Sequence, residues 1–249
     1  MNILEYVLWS FFVIGPIYVY FTHEKEQQDV IEHRISRSRV YARTMFFIWL
    51  PTILLLLLVV FGYVDHESIG LRWSNNIMNI GAVVLTVIGI IYSARSLLQL
   101  REDKTKDHEI LASLAYIKWF MPQAPKELNL FVAGVSVSAG ICEEILFRGY
   151  LLAELSTYMP VYMAVALSSL LFGLPHLYQG ATHIIRTACL GGGFAMLYLA
   201  TDSLVVPIVL HILFDAYGGV MAYTVLTRYK EGLMTPAAMS RRDNALSPS

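Results

Sequence analysis

Seven stretches of this 249-residue chain are too long and too apolar for a water-soluble fold. A helix needs about 20 mostly apolar residues to cross a hydrocarbon core of roughly 30 Å, since every backbone N–H and C=O must be bonded within the segment once water is absent. Stretches that meet this test run over about residues 2–21, 44–64, 77–98, 130–153, 160–177, 183–200 and 204–226. The expected fold class is all-α, a polytopic membrane helix bundle of about seven transmembrane helices. The chain is 56% hydrophobic and only 15% charged, where a soluble domain carries about 25% charge. The first stretch lacks a basic leader, carries Glu5 and ends in Phe21-Thr22-His23 without a small-residue cleavage site, so it reads as a retained span. Residues 1–239 show neither repeat nor Gly/Ser linker and read as one membrane-embedded domain, while 240–249 are small and polar and read as a disordered tail.

The placement of Lys and Arg predicts orientation. Lys25, Arg34, Arg37, Arg39 and Arg43 follow the first span, and Arg101, Lys104, Lys106, Lys118 and Lys126 follow the third. Both loops are expected on the cytoplasmic side. The segment 65–76 has Arg72 against Asp65 and Glu67, and 154–160 has no Lys or Arg, so both are expected outside. Arg228, Lys230, Arg241 and Arg242 return the tail to the inside, which gives N-out and C-in. No basic domain points to nucleic acid. The expected location is a membrane, and the compact form points to a bacterial inner (plasma) membrane, with lipid as the surrounding partner. Cys142 and Cys189 are far apart in apolar segments and resemble neither a disulfide framework nor a zinc knuckle. Residues 107–120 place Ile110, Leu114 and Ile117 at helical spacing, as either an interfacial helix or a helix packed on the loops would.

Against this background the run Ile141-Cys142-Glu143-Glu144-Ile145-Leu146-Phe147-Arg148 is anomalous. A charge at the bilayer centre costs at least about 2.5 kcal/mol on insertion scales, so ionisable residues there mark a functional site. Glu144 and Arg148, at i and i+4, share a helix face and are expected to pair. Glu143 lies about 100° further round, and Gly140 and Ala139 one turn before it are expected to leave space over it. The fifth span holds Phe172 and, one turn later, His176 after Pro175. The last holds His211 and Asp215 on one face. A carboxylate can act as general base, a His can share the proton or ligate a metal, and a second His with an acid or amide can stabilise an oxyanion. Gly191-Gly192-Gly193 and Ala195 make a flat face on the sixth span that lets helices approach closely.

Glu-Glu-x-x-x-Arg at 143–148, Phe-x-x-x-His at 172–176 and His-x-x-x-Asp at 211–215, in this order on successive spans, resemble the motifs of the CPBP family, the CAAX prenyl protease and bacteriocin-processing (Abi) intramembrane endopeptidases. The resemblance covers about residues 130–220, with Ser203-Leu204 and Pro207 also similar and the Ile69-Gly70-Leu71 turn a weaker likeness. It implies an intramembrane protease whose substrate is a peptide or protein, either free or membrane-bound. It further implies that Glu143 activates water with help from His176, that His211 and the residue one turn later support the tetrahedral intermediate, and that Glu144 and Arg148 shape the site. That later residue is Asp215 here, where the prenyl-protease branch usually has Asn. Asp cannot donate a hydrogen bond unless protonated, so orienting His211 is the alternative role open to it.

Glu143, His176 and His211 could also form a two-His, one-Glu zinc set, although no His-Glu-x-x-His helix is present; metal-free activation of water is preferred slightly. Two other classes remain open on the residues alone, a transporter with an intramembrane proton relay and a non-catalytic immunity or binding protein. The first predicts internal inverted symmetry, which the sequence does not show. Counting a 1.5 Å rise per residue along straight helices puts Glu143 roughly 20 Å from the inner side and His211 roughly 10 Å from the outer, which agree. The same count puts His176 roughly 24 Å from the outer side, about half a bilayer too deep.

Overall fold

The computed structural model describes residues 3–73 and 76–230, so the expected tail at 240–249 lies outside the described residues. Seven helices are long and apolar enough to cross a membrane: α1 (Ile3–Ile31), α2 (Arg37–Val60), α3 (Ile77–Glu102), then, after the short α4 (Asp107–Ser113), α5 (Pro125–Tyr158), α6 (Val161–Gln179), α7 (Ala181–Thr201) and α8 (Val205–Lys230). No strand occurs among the described residues. The chain is an integral membrane protein, and all seven spans expected from hydropathy are present.

Their ends differ from the sequence reading for a physical reason. Hydropathy registers the part of a helix in hydrocarbon, whereas backbone hydrogen bonding continues into water while side chains support it. α1 runs on to Ile31, its polar last turns tied by an ion pair from Glu26 to Arg43 at the start of α2. The Ser36 hydroxyl caps α2 by accepting from the Arg39 amide, and the Asn76 side chain caps α3 at the Asn79 amide, 2.8 Å away. Pro16 and Pro51 sit inside α1 and α2, tolerated because neighbouring helices compensate the lost backbone bond.

α5 is the axle of the bundle. More than half of its apolar window is buried (56%), against 11% to 28% for the other six spans. Its 34 residues would extend about 51 Å as a straight α-helix, well beyond the hydrocarbon thickness, and two π-helical segments, Phe131–Ser136 and Ile145–Leu151, interrupt it. π-helical turns concentrate at functional sites because they re-aim side chains, and the second begins immediately after Glu144. Around α5, Leu8, Leu55, Leu58, Leu151, Leu152 and Leu204 form one apolar core. Tyr41, Leu114, Met121, Phe131, Ala222 and Leu226 form a second at the opposite end. Leu114 and its neighbours Ile110 and Ile117 pack into this second core, so the 107–120 segment is a short helix and turns packed on the bundle rather than a free interfacial helix.

Two polar knots fix the ends. Near one end, the Gly70 carbonyl accepts from the Leu204 amide at 3.0 Å, Asn79 donates to the Thr201 carbonyl at 2.8 Å, and Arg72 pairs with Asp202. The α2–α3 loop, including the Ile69-Gly70-Leu71 turn, thereby holds the α7–α8 corner. At the other end, fully buried Asp107 meets Arg228 at 3.2 Å, and Arg228 also donates to the Leu100 and Arg101 carbonyls at 2.6 and 2.7 Å. Breaking one side of a buried pair costs about 3–5 kcal/mol, because the remaining charge stays buried. Arg228→Ala is therefore expected to lower the thermal unfolding temperature of the detergent-solubilised protein sharply. Arg228→Ala with Asp107→Ala should recover most of that loss, as the midpoints of the two variants will show.

Candidate active site

Three helices bring the polar residues together. On α5, the Glu144 side chain is fully buried and that of Arg148 is 2% exposed; they pair through Nη1 and Oε1 at 2.9 Å. The expected i,i+4 pair is present, but it is not closed on itself. The same Oε1 takes Nδ1 of His211 from α8 at 2.8 Å, while Glu144 Oε2 is buried without a hydrogen-bond partner. Arg148 uses its second nitrogen on the Gly191 carbonyl of α7, 3.0 Å away. One carboxylate oxygen thus joins α5 to α8, and one guanidinium joins α5 to α7.

Aromatic rings enclose this unit. The Arg148 guanidinium lies 4.1 Å from the Phe172 ring centroid and 5.6 Å from that of Phe194. Phe194 stacks on the His211 imidazole at 5.3 Å and 18°, and Phe172 meets it edge-on at 5.9 Å. A desolvated cation over an aromatic face gains up to about 2 kcal/mol, which offsets part of the cost of removing Arg148 from water.

The other ring nitrogen of His211 looks the opposite way. Nε2 lies 3.8 Å from Glu143 Oε2 and 3.8 Å from Asp215 Oδ2. These carboxylates are the open ones, with side chains 26% and 38% exposed against 7% for His211. A separation of 3.8 Å is too long for a direct hydrogen bond. Asp215 therefore does not hold His211 in place; Glu144 does, through Nδ1.

Close backbone approach sets these distances. A Cβ on Gly140 would come within 2.5 Å of the Ile212 side chain and 3.0 Å of its backbone nitrogen, so α8 seats itself where a larger residue would stand. The space expected over Glu143 is thus filled by α8, and that filling brings His211 within reach of both glutamates. Within the glycine run, only Gly191 is tightly placed. A Cβ there would lie 2.8 Å from the Phe172 ring and 3.0 Å from Arg148 Nη2, whereas one on Gly192 makes ordinary contact and one on Gly193 meets nothing.

Among the described residues His176 makes no direct hydrogen bond or ion pair with Glu143, Glu144, His211 or Asp215. The α6 residue level with His211 is Phe172; His176 lies one turn beyond, in the 3-10 segment Leu174–Gln179, with its buried Nδ1 lacking a hydrogen-bond partner. It is near enough for the two imidazoles to interact electrostatically. The zinc set Glu143, His176 and His211 is not assembled. Among the described residues no three His, Cys, Asp or Glu side chains are grouped to hold a metal ion, so these donors do not fit one as arranged and no step below passes through a metal. Cys142 and Cys189 are free thiols.

Comparison with known proteins bears on the same stretch. Residues 125–217 match the family model of Type II CAAX prenyl endopeptidase Rce1-like proteins. This segment contains Glu143, Glu144, Arg148, His176, His211 and Asp215, so the resemblance carried by the three motifs is borne out where the motifs lie. The chain is also 28% identical over 102 residues to a Bacillus subtilis (strain 168) protein described as "Putative membrane peptidase YdiL". That match spans 41% of this chain and 41% of the relative. No solved structure matches the chain.

Sequence reasoning did not find Phe194 or the Gly191 carbonyl as parts of the site, because neither carries a charge and the ring and carbonyl acquire meaning only once Arg148 is placed. The signal available was indirect. A buried guanidinium has five donors, and a single glutamate cannot satisfy them.

Gly191→Ala is expected to lower stability by about 1–3 kcal/mol through overpacking against Phe172 and Arg148. Gly193→Ala should be neutral or stabilising by up to about 1 kcal/mol, as glycine-to-alanine changes in helices are. Unfolding midpoints of the two variants, measured side by side, test this contrast.

Proposed function

We propose that this chain is an intramembrane endopeptidase of the CAAX-protease type that hydrolyses a peptide bond with water activated at Glu143. One observation carries the proposal: Glu144 fixes Nδ1 of His211, and Nε2 then faces Glu143 and Asp215 at 3.8 Å each on the open side of a buried cluster. The family match over residues 125–217 supports the peptidase class.

In this reading Glu143 takes a proton from water while the hydroxide forms a bond to the scissile carbonyl carbon. The Nδ1–H of His211 donates to Glu144, which holds the ring in one orientation. Nε2 shares the proton withdrawn from water and, once protonated, donates to the developing oxyanion. As the C–N bond breaks, that proton passes to the leaving amine. Asp215 is an acceptor beside Nε2 and steadies its protonated form, rather than donating to the oxyanion itself. Arg148 holds Glu144. His176, one turn along α6, assists from the side of the approaching peptide. The substrate is a peptide or membrane-bound protein, and the host is a bacterial inner membrane. The Lys and Arg distribution supports an N-out, C-in orientation of a single membrane-embedded domain.

Removing a general base of this kind lowers rates about 10²- to 10⁴-fold. Membranes carrying the Glu143→Gln protein should therefore lack peptide fragments that wild-type membranes contain, as proteomics of cleaved membrane proteins will show, while the thermal midpoint is unchanged. Identical fragment sets from both would overturn the enzymatic reading. Glu144→Gln, by contrast, is expected to lose stability together with activity, since it weakens two buried contacts at once.

A further inference from the structure

A second feature lies further along α6 from Phe172, the residue that meets His211. A cavity of about 300 Å³ opens where α1 leaves the apolar core, lined by Tyr20, His23 and Glu24 of α1, Tyr116, and Tyr178 and Gln179 of α6. Four of its eight lining residues carry rings, with Leu177 and Gly180 completing the wall. Tyr20 and His23 lie 6.0 Å apart, and His23 and Tyr178 5.2 Å apart, at tilts of 37°. The ring positions are set: His23 Nδ1–H donates to the Tyr20 carbonyl at 2.6 Å, and Gln179 donates to the Tyr178 hydroxyl at 2.9 Å. Glu24 is exposed and makes no ion pair or side-chain hydrogen bond among the described residues. Neighbouring Glu26, by contrast, is committed to Arg43.

Aromatic faces with one free carboxylate form a site for an organic cation. The ring quadrupoles attract positive charge, and the carboxylate adds a direct ionic partner. No lysine or arginine lines the cavity. The distance to the cluster suggests what the cation belongs to. Tyr178 follows Phe172, which touches His211, by six residues. At rises of 1.5–2.0 Å per residue that is about 10 Å, the length of about three residues of an extended peptide.

We propose that this cavity is a specificity subsite that holds the Lys or Arg side chain of a peptide substrate about three residues from the scissile bond. The inference rests on the peptidase reading for its register, but not for the binding itself. A cation discriminated by such a cage gains about tenfold in affinity over a neutral isostere, in the range expected for ring and carboxylate contacts together.

The test uses the full-length detergent-solubilised Glu143→Gln protein and a fluorescent apolar decapeptide with one central Arg, or Gln in its place. The Arg peptide should bind about tenfold more tightly, and adding Glu24→Gln or Tyr116→Leu should erase the difference with no change in thermal midpoint. Equal binding of the two peptides, or discrimination that survives both substitutions, overturns the proposal. So does competition by phosphatidylethanolamine vesicles as strong as that by unlabelled Arg peptide, since the cage would then serve a lipid amine. In wild-type protein, moving the Arg along the peptide should move the cleaved bond with it. Cleavage that stays fixed overturns the proposed register, whereas no cleavage in any peptide, with cation discrimination intact, counts against the peptidase reading alone.

Discussion

A single carboxylate oxygen, Glu144 Oε1, holds the centre of this protein together. It receives Arg148 at 2.9 Å and His211 at 2.8 Å with almost no solvent access to any of the three. In a medium of low dielectric an unpaired charge costs several kcal/mol, so each partner constrains the others. Arg148 cannot leave Glu144, and its remaining donors must find acceptors; the Gly191 carbonyl supplies one. α7 must come close enough to offer that carbonyl, which Gly191 permits. α8 must come close enough to present His211, which Gly140 permits. The packing of three helices thus follows from the need to satisfy one acid.

The polar knot at the α7–α8 corner serves the same end. His211 lies about two turns into α8, so its depth depends on where that helix begins. Leu204 is bonded to Gly70, Thr201 to Asn79, and Asp202 to Arg72. Two contacts from the α2–α3 loop and one from the first turn of α3 therefore set the height at which the imidazole meets α5. A weak sequence likeness at Ile69-Gly70-Leu71, remote from the charged motifs, acquires a physical meaning in this way.

Much of this was legible in the residues, and the limits of legibility are physical. Seven spans could be read because hydrocarbon leaves the backbone no alternative to the helix. The i,i+4 relation of Glu144 and Arg148 could be read because it is local. His211 on Glu144 could not, since that bond joins residues 67 apart, and which of two adjacent glutamates a distant ring selects depends on how α8 seats against Gly140. For the same reason Asp215 looked like the group that orients His211, being one turn away on its own helix, while the orienting bond comes from another. The position of His176 could not be counted along a straight helix, because α6 changes from α-helix to a 3-10 segment at Leu174, and Phe172 meets His211.

The division between the two glutamates follows from exposure as well as from bonding. Side-chain exposure rises from 0% at Glu144 through 2% at Arg148 and 7% at His211 to 26% at Glu143 and 38% at Asp215. A group that must exchange protons with water and touch a substrate has to stand at the open end of such a series. A group that must hold another in place gains from standing at the closed end, where the local dielectric strengthens each contact. His211 is the one side chain that faces both ends, Nδ1 toward the closed one and Nε2 toward the open one. The charge state of the ring at Nε2 is therefore felt by Glu144 and Arg148 without either being exposed.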